Sequence, residues 1–346
     1  MVRGRLDLAR PFVTAHGTET SKEVLWVRVR DAEGAEGWGE CAALSTPSYT
    51  AEWLEGAEAV LRRFLVPAAL AGRPARVVGH PMARAALEAA VLHLRVTASG
   101  TTLAAWAGAV RDRVACGVAV GIAGSVDELL AEVAGFVDDG YQRVKLKVRP
   151  GWDLEPVGAV RSAWPDLALG VDANGSYERS HLGGVLATLD RLGLVEIEQP
   201  LAADDLVGLA DVAGKLDTPV CLDESITSVA DLETALALGA LDHVNLKAGR
   251  VGGVTEALRI HDLALSRGVP LWIGGMLDTG VGKAVNVALA ALPGVTLPGD
   301  LPASRRWFAE DVTALWDVAP DGTMAVRPLG EVRLPAGTRS GRGSGS

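Results

Sequence analysis

The chain of 346 residues has only three cysteines, Cys41, Cys116 and Cys221, far apart and without a C-x-x-C pair. That scarcity excludes a disulfide-stapled scaffold and a zinc site built on paired thiolates, and it reads as buried thiols in a reducing compartment. Basic residues are outnumbered by acidic ones, 33 to 43, for a net charge of −10. Phosphate binding draws on clustered Lys and Arg, so nucleic acid is not an expected partner. No run approaches the roughly 18 consecutive apolar residues of a membrane span, so no membrane partner is expected either. Residues 1–7 (MVRGRLD) lack the apolar stretch of a secretory signal, and a cytoplasmic protein is expected. Aromatic residues are scarce at 5%, and Trp152, Trp164, Trp272 and Trp307 read as packing residues rather than stacking platforms.

What is present describes an ordinary globular chain. Hydrophobic residues make up 49% and charged residues 22%, which excludes disorder over most of the length. The length allows one large domain or two. Residues 23–30 (EVLWVRVR) alternate apolar and polar, as a half-buried strand does. A turn-like stretch at 31–37 leads into a second run at 38–41, which predicts a hairpin. Residues 53–70 and 81–97 read as helices, the second with Pro81 in its first turn. Residues 1–112 are therefore expected to form an α+β domain.

From about residue 114 the pattern changes to short β-branched runs between helical stretches. The runs are 114–120, 143–148, 167–172, 194–198, 219–223, 243–247 and 269–273, with an eighth near 295–297. Lys147, Asp172, Glu198, Asp223 and Lys247 mark successive ends, and their separations are 25, 26, 25 and 24 residues. One strand, one helix and two loops need about that length. Such regularity points to a (β/α) barrel over 113–316, although an open doubly wound sheet gives similar alternation. Residues 317–336 are expected to return to the first domain. The Gly/Ser-rich 337–346 is expected to be a disordered tail.

Three of those strand ends finish in acids: Asp172, Glu198 and Asp223. Strand C-termini of a barrel converge on one mouth, where three unpaired carboxylates repel. A hard divalent cation with oxygen ligands relieves the repulsion, and Mg²⁺ fits, with Mn²⁺ as an alternative. Acids at these places also cap the helices that follow, which is the competing reading. Lys145 and Lys147 share a face of the preceding strand, and Lys247 ends the strand after Asp223. Lysines on either side of a metal-bound carboxylate substrate can each reach one face of its α-carbon. Proton removal there builds charge on the carboxylate oxygens, which a cation stabilises. A lysine base must be neutral, and Lys145 beside Lys147 pushes in that direction.

The motifs Lys145-Leu146-Lys147, Asp172-Ala173-Asn174, Glu198-Gln199-Pro200, Asp223-Glu224-Ser225 and Asn245-Leu246-Lys247 resemble those of the enolase superfamily, in its muconate-lactonizing-enzyme subgroup. Gly249-Arg250-Val251-Gly252-Gly253, Trp272-Ile273-Gly274-Gly275-Met276-Leu277 and Leu297-Pro298-Gly299-Asp300 resemble the branch holding o-succinylbenzoate synthases and N-succinylamino acid racemases. Asp278-Thr279-Gly280 departs from the Glu-Ser-Gly associated with that branch, and Ala248 replaces a common proline.

The resemblance covers nearly the whole chain and implies an α/β fold, a modified (β/α)7β TIM-like barrel behind an N-terminal α+β capping domain. It implies Mg²⁺ on Asp172, Glu198 and Asp223, and Lys147 and Lys247 as the acid/base pair. Lys145, Asn174 and Glu224 would support them. Substrate would meet Ser48 and Tyr49 on a lid and Gly275, Met276 and Leu277 on the barrel, with a further lid near His16. The implied activity is dehydration of a small carboxylate to o-succinylbenzoate in menaquinone synthesis. The alternatives are N-succinylamino acid racemisation, both activities together, dipeptide epimerisation, or a barrel without catalysis. A homo-oligomer is expected.

Overall fold

The computed structural model describes residues 1–335 and 337–340. Two sheets organise the chain. The first is antiparallel and holds β1 (Val2–Thr14), β2 (Gly17–Arg30) and β3 (Glu36–Cys41). Helix Pro81–Ala98 packs closely on β3, because Gly37 and Gly39 leave no side chain between them. A Cβ on Gly39 would stand 2.0 Å from the Ala86 carbonyl oxygen. The helix begins at Pro81, and the Glu52 carboxylate accepts from the Met82 and Ala83 amides at 2.8 and 2.9 Å. That carboxylate satisfies two of the donors every helix leaves open at its start. Residues 53–70 are helical with an interruption: Leu54–Val60 and Val66–Leu70 flank a π-helical turn, Leu61–Leu65.

The second sheet is the barrel. Its parallel strands are β4 (Arg113–Val120), β5 (Arg143–Lys147), β6 (Leu169–Asp172), β7 (Glu196–Glu198), β8 (Val220–Leu222), β9 (His243–Leu246), β10 (Leu271–Ile273) and β11 (Gly299–Asp300). From β4 to β10 each pairs with the next, and β11 returns to pair with β4. A bridge from Val295 to Leu271 nearly closes the ring. The eighth strand therefore lies later than 295–297. Pro298 has no N–H to give a ladder, so regular pairing starts after it.

Alternation along the barrel strands is inverted relative to a surface sheet. Val144, Leu146, Val171, Ile197, Val244 and Leu246 join the buried core shared with the outer helices. The residues between them are polar, and they meet one another inside the ring. Arg143 pairs with Glu196 at 2.5 Å and with Asp300 at 2.9 Å, and its guanidinium lies 4.0 Å from the Trp272 ring centroid. Gly117 makes room for it, since a Cβ there would sit 3.1 Å from Arg143 Nε. The lumen is thus packed with charge that is paired on the spot, as burial requires.

The end of the chain serves both sheets. β12 (Thr323–Ala325) pairs antiparallel with the start of β4, and Leu329, Val332 and Leu334 then pack where the first sheet meets the barrel. The expected disordered tail needs correction at its beginning. β13 (Arg339–Ser340) pairs with Val2 and Arg3 of β1, because main-chain pairing at an open strand edge needs no apolar side chains. Residues 341–346 of that expected tail lie outside the described residues. Among the described residues no helix is long and apolar enough to cross a membrane.

Candidate active site

β6 and β7 stand side by side with Asp172 opposite Glu198, and Asp223 follows the end of β8. All three carboxylates are buried at the C-terminal rim of the barrel. Each is held by nitrogen donors. Lys147 Nζ lies 2.6 Å from Asp172 Oδ2 and 2.8 Å from Asn174 Oδ1. Lys145 Nζ donates to Glu198 Oε2 and stands 2.7 Å from Asp300 Oδ2, while Asn245 Nδ2 donates to Glu198 Oε1 at 2.7 Å. Lys247 Nζ is 2.7 Å from Asp223 Oδ2, and Arg250 Nη2 is 2.7 Å from Asp223 Oδ1. Lys147, Lys247 and Asn174 also line one open cleft.

The electrostatics follow from this crowding. Burial works against charge on Lys145, but Asp300, Glu198 and Asp172 together hold its ammonium well above the ordinary lysine value. Lys247 is raised well above it too: burial opposes, and Asp223 and then Tyr49 outweigh it. Glu198 is pushed well above the usual carboxylate range by burial and next by Asp172. Glu224 is raised to about 7 by burial, then by Asp223 and Asp172. Its Oε1 accepts from Asn174 Nδ2 at 2.9 Å, and its Oε2 is buried without a partner.

The donor set bears directly on a metal ion. Among the described residues no three carboxylate, imidazole or thiol groups are gathered tightly enough to hold one, because lysines stand between the acids. The oxygens are nevertheless of the right kind: hard, buried, on adjacent strands and mutually repelling. One further carboxylate oxygen, Glu224 Oε2, is orphaned beside them. This set fits a hard dication, and the amines now on Asp172 Oδ2 and Asp223 Oδ2 hold the places such an ion would contest.

The remaining expected residues are spread around the mouth. Tyr49 reaches in from the first domain, its hydroxyl 2.9 Å from Asp223 Oδ2 and 3.0 Å from Lys247 Nζ. Ser48 is exposed at the cleft rim and faces Thr46. His16 sits in the β1–β2 turn with its ring 5.9 Å from that of Tyr49. Gly275, Met276 and Leu277 line the opposite wall, with Asp278. Asp278 Oδ2 accepts from the Met276 amide and from Asn286 Nδ2, both at 2.8 Å. Gly274 is required where it stands: a Cβ would lie 2.2 Å from Asn245 Oδ1 and 2.8 Å from Lys247 Cε.

Several contributing residues had been given no role from sequence: Asn245, Arg250, Asp300, Lys22, Glu40 and Lys283. Asn245 was within reach, because it lies two residues before Lys247 and shares its face. Arg250 lies past the end of β9 in a short helix, from which it reaches Asp223 on the neighbouring strand end, and Asp300 ends β11, which ring closure brings to Lys145.

A family profile described as enolase C-terminal domain-like matches residues 128–331. The chain belongs to this family. Enzymes of the family are similar to it over most of their length. An N-succinylamino acid racemase from Amycolatopsis sp is 48% identical over 324 residues, covering 90% of this chain and 87% of that one. An o-succinylbenzoate synthase from Geobacillus kaustophilus is 44% identical over 318 residues, covering 89% and 84%. The crystal structure of an enolase-superfamily member from Listeria innocua superposes with a TM-score of 0.91 at 37% identity, covering 98% and 96%.

Proposed function

We propose that this enzyme removes the proton next to the carboxylate of a small-molecule substrate, and that its product is o-succinylbenzoate, formed by loss of water from a succinyl-hydroxycyclohexadiene carboxylate. The observation that carries the reading is that Lys147 and Lys247 line one cleft, each paired with a buried rim acid, Asp172 and Asp223, while Lys145, also on that cleft, pairs with Glu198. Asp172, Glu198 and Asp223 would hold Mg²⁺, or Mn²⁺ in its place. What such an ion supplies when bound is positive charge beside the oxygens where the enediolate's charge develops.

The chain's own residues do the rest. Asp172 and Asn174 orient the Lys147 amine, which takes the α-proton and then returns it to the departing hydroxyl as water leaves. Lys145, saturated by Glu198 and Asp300, stays charged two residues away. Lys247, held by Asp223 and Tyr49, remains an ammonium facing the enediolate. The pathway context of this reading is menaquinone synthesis.

A second reading is favoured by the same pair of amines. With one lysine on each side of the α-carbon, Lys147 can take a proton from one face and Lys247 deliver one to the other, which is racemisation of an N-succinylamino acid. Two assays separate the readings. Aromatic product from the cyclohexadiene carboxylate supports the first. Deuterium entry at the α-carbon of an N-succinylamino acid in D₂O supports the second. Lys147→Ala should lower both by about a thousandfold or more. Wild-type protein inactive in both assays would overturn the proposal.

A further inference from the structure

The wall of the cleft opposite the lid is held by a pair of charges from the first domain. Lys22 of β2 and Glu40 of β3 are buried, with side-chain exposures of 2% and 1%, and Lys22 Nζ lies 2.7 Å from Glu40 Oε1. They share one sheet face: Lys22, Val24 and Trp26 alternate along β2, and Glu40 stands opposite Trp26 in register. That face is the one pressed against the barrel, since Val24 and Trp26 pack with Val281, Trp307 and Phe308.

The pair spends its remaining hydrogen bonds on one barrel segment, the loop after β10 and the first turn of helix Gly280–Ala290. Lys22 Nζ donates to the Met276 and Leu277 carbonyls at 3.0 and 2.9 Å. Glu40 accepts from the Thr279 amide at 3.1 Å, the Thr279 hydroxyl at 2.5 Å and the Gly282 amide at 3.1 Å. Leu277 sits at φ 56°, a left-handed conformation that a residue with a Cβ keeps only when its surroundings fix it. The same loop begins at Gly274, directly against the Lys247 side chain, and its next residues face the cleft.

We infer that Lys22 and Glu40 are positioning residues that set substrate specificity: they fix loop 274–279, through the start of the helix that follows it, as the wall against which the acyl arm of the substrate lies. The inference rests on the reaction proposed above for this cleft. Neither side chain touches the reacting atoms, so loosening the clamp acts on arm binding more than on proton removal. A substrate with a long acyl arm should suffer more than one with a short arm.

The test compares α-proton exchange on an N-succinyl and an N-acetyl form of one amino acid. Lys22→Met and Glu40→Gln should raise KM for the succinyl form about tenfold, with kcat changed by less than about threefold. Their preference for succinyl over acetyl should fall, and Lys22→Arg should restore part of it. Equal changes for both substrates, or a loss confined to kcat, would overturn the inference. Removing one buried partner can also prevent folding. Amide hydrogen exchange on the wild-type protein therefore stands as an independent arm. The Thr279 and Gly282 amides should exchange as slowly as those of β2 and β3. Fast exchange at both, with β2 and β3 protected, would sink the clamp. Wild-type protein that exchanges neither substrate would count against the racemase reading instead, while the amide measurement would still decide the clamp.

Discussion

At the residue scale the cleft is an arrangement of charges that neutralise one another locally, and substitutions should separate their roles. Lys247→Arg keeps a cation beside Asp223 but removes a ready proton donor. Racemisation should fall by about a thousandfold, whereas dehydration should retain a measurable fraction, because there the group needs only its charge. Equal losses would contradict that division. Lys283 offers a test of stability instead. It is buried, donates to the Pro302 carbonyl at 2.5 Å, and is lowered from 10.5 to about 8, chiefly by burial. The folded protein thus gives up this proton before the unfolded chain does. Between those two values the unfolded state binds more protons, so this group makes stability rise with pH there and adds no slope below about pH 8. Urea unfolding at pH 8 and pH 10 should show a gain of up to about 3 kcal/mol in wild type relative to Lys283→Met. A pH response unchanged by the substitution would mean that the ammonium is not desolvated as described.

At the element scale the barrel was largely legible and the first domain less so. The β-branched runs announced β4 to β10 because their outward residues are apolar, and their ends fell at the acids and lysines by simple spacing. β1 went unread. Its sequence, VRGRLDLARPFVT, mixes charge with Gly and Pro, and a register shift between Asp7 and Phe12 breaks its alternation. Pairing with β2 makes it a strand, and pairing is not a local property. The site divides the same way. The strand ends from β5 to β9 were visible in the chain, while Asp300 reaches Lys145 only through ring closure, Arg250 reaches Asp223 from a helix past its strand, and the Lys22–Glu40 pair meets the barrel only through docking. One element contact carries its own prediction. Gly39→Ala would drive a methyl group into the Ala86 carbonyl of helix Pro81–Ala98. Strand and helix would have to separate, at a cost of about 2 kcal/mol or more in denaturant unfolding. A neutral result would show that the two elements have slack between them.

For the whole molecule the acids at the rim link ligand binding to stability. A cation that binds only the folded protein raises its melting temperature by mass action. Millimolar Mg²⁺ added to chelator-treated protein should raise the melting temperature by on the order of 5 °C, and Asp223→Asn should abolish the rise. An identical rise in that variant would move the ion elsewhere.

The sheet that contributes Lys22 and Glu40 is sealed by segments from the far end of the chain. Trp307, Phe308 and Val312 cover one face of it, and Arg339–Ser340 hydrogen-bond the free edge of β1. During translation the first hundred residues must therefore emerge with an uncovered apolar face and an unpaired strand edge, features that invite aggregation. They acquire their cover only when the last few dozen residues leave the ribosome. Synthesis of this protein is thus a wait for its own C-terminus, and a nascent chain stalled before Trp307 should be held by chaperones that a finished chain no longer needs.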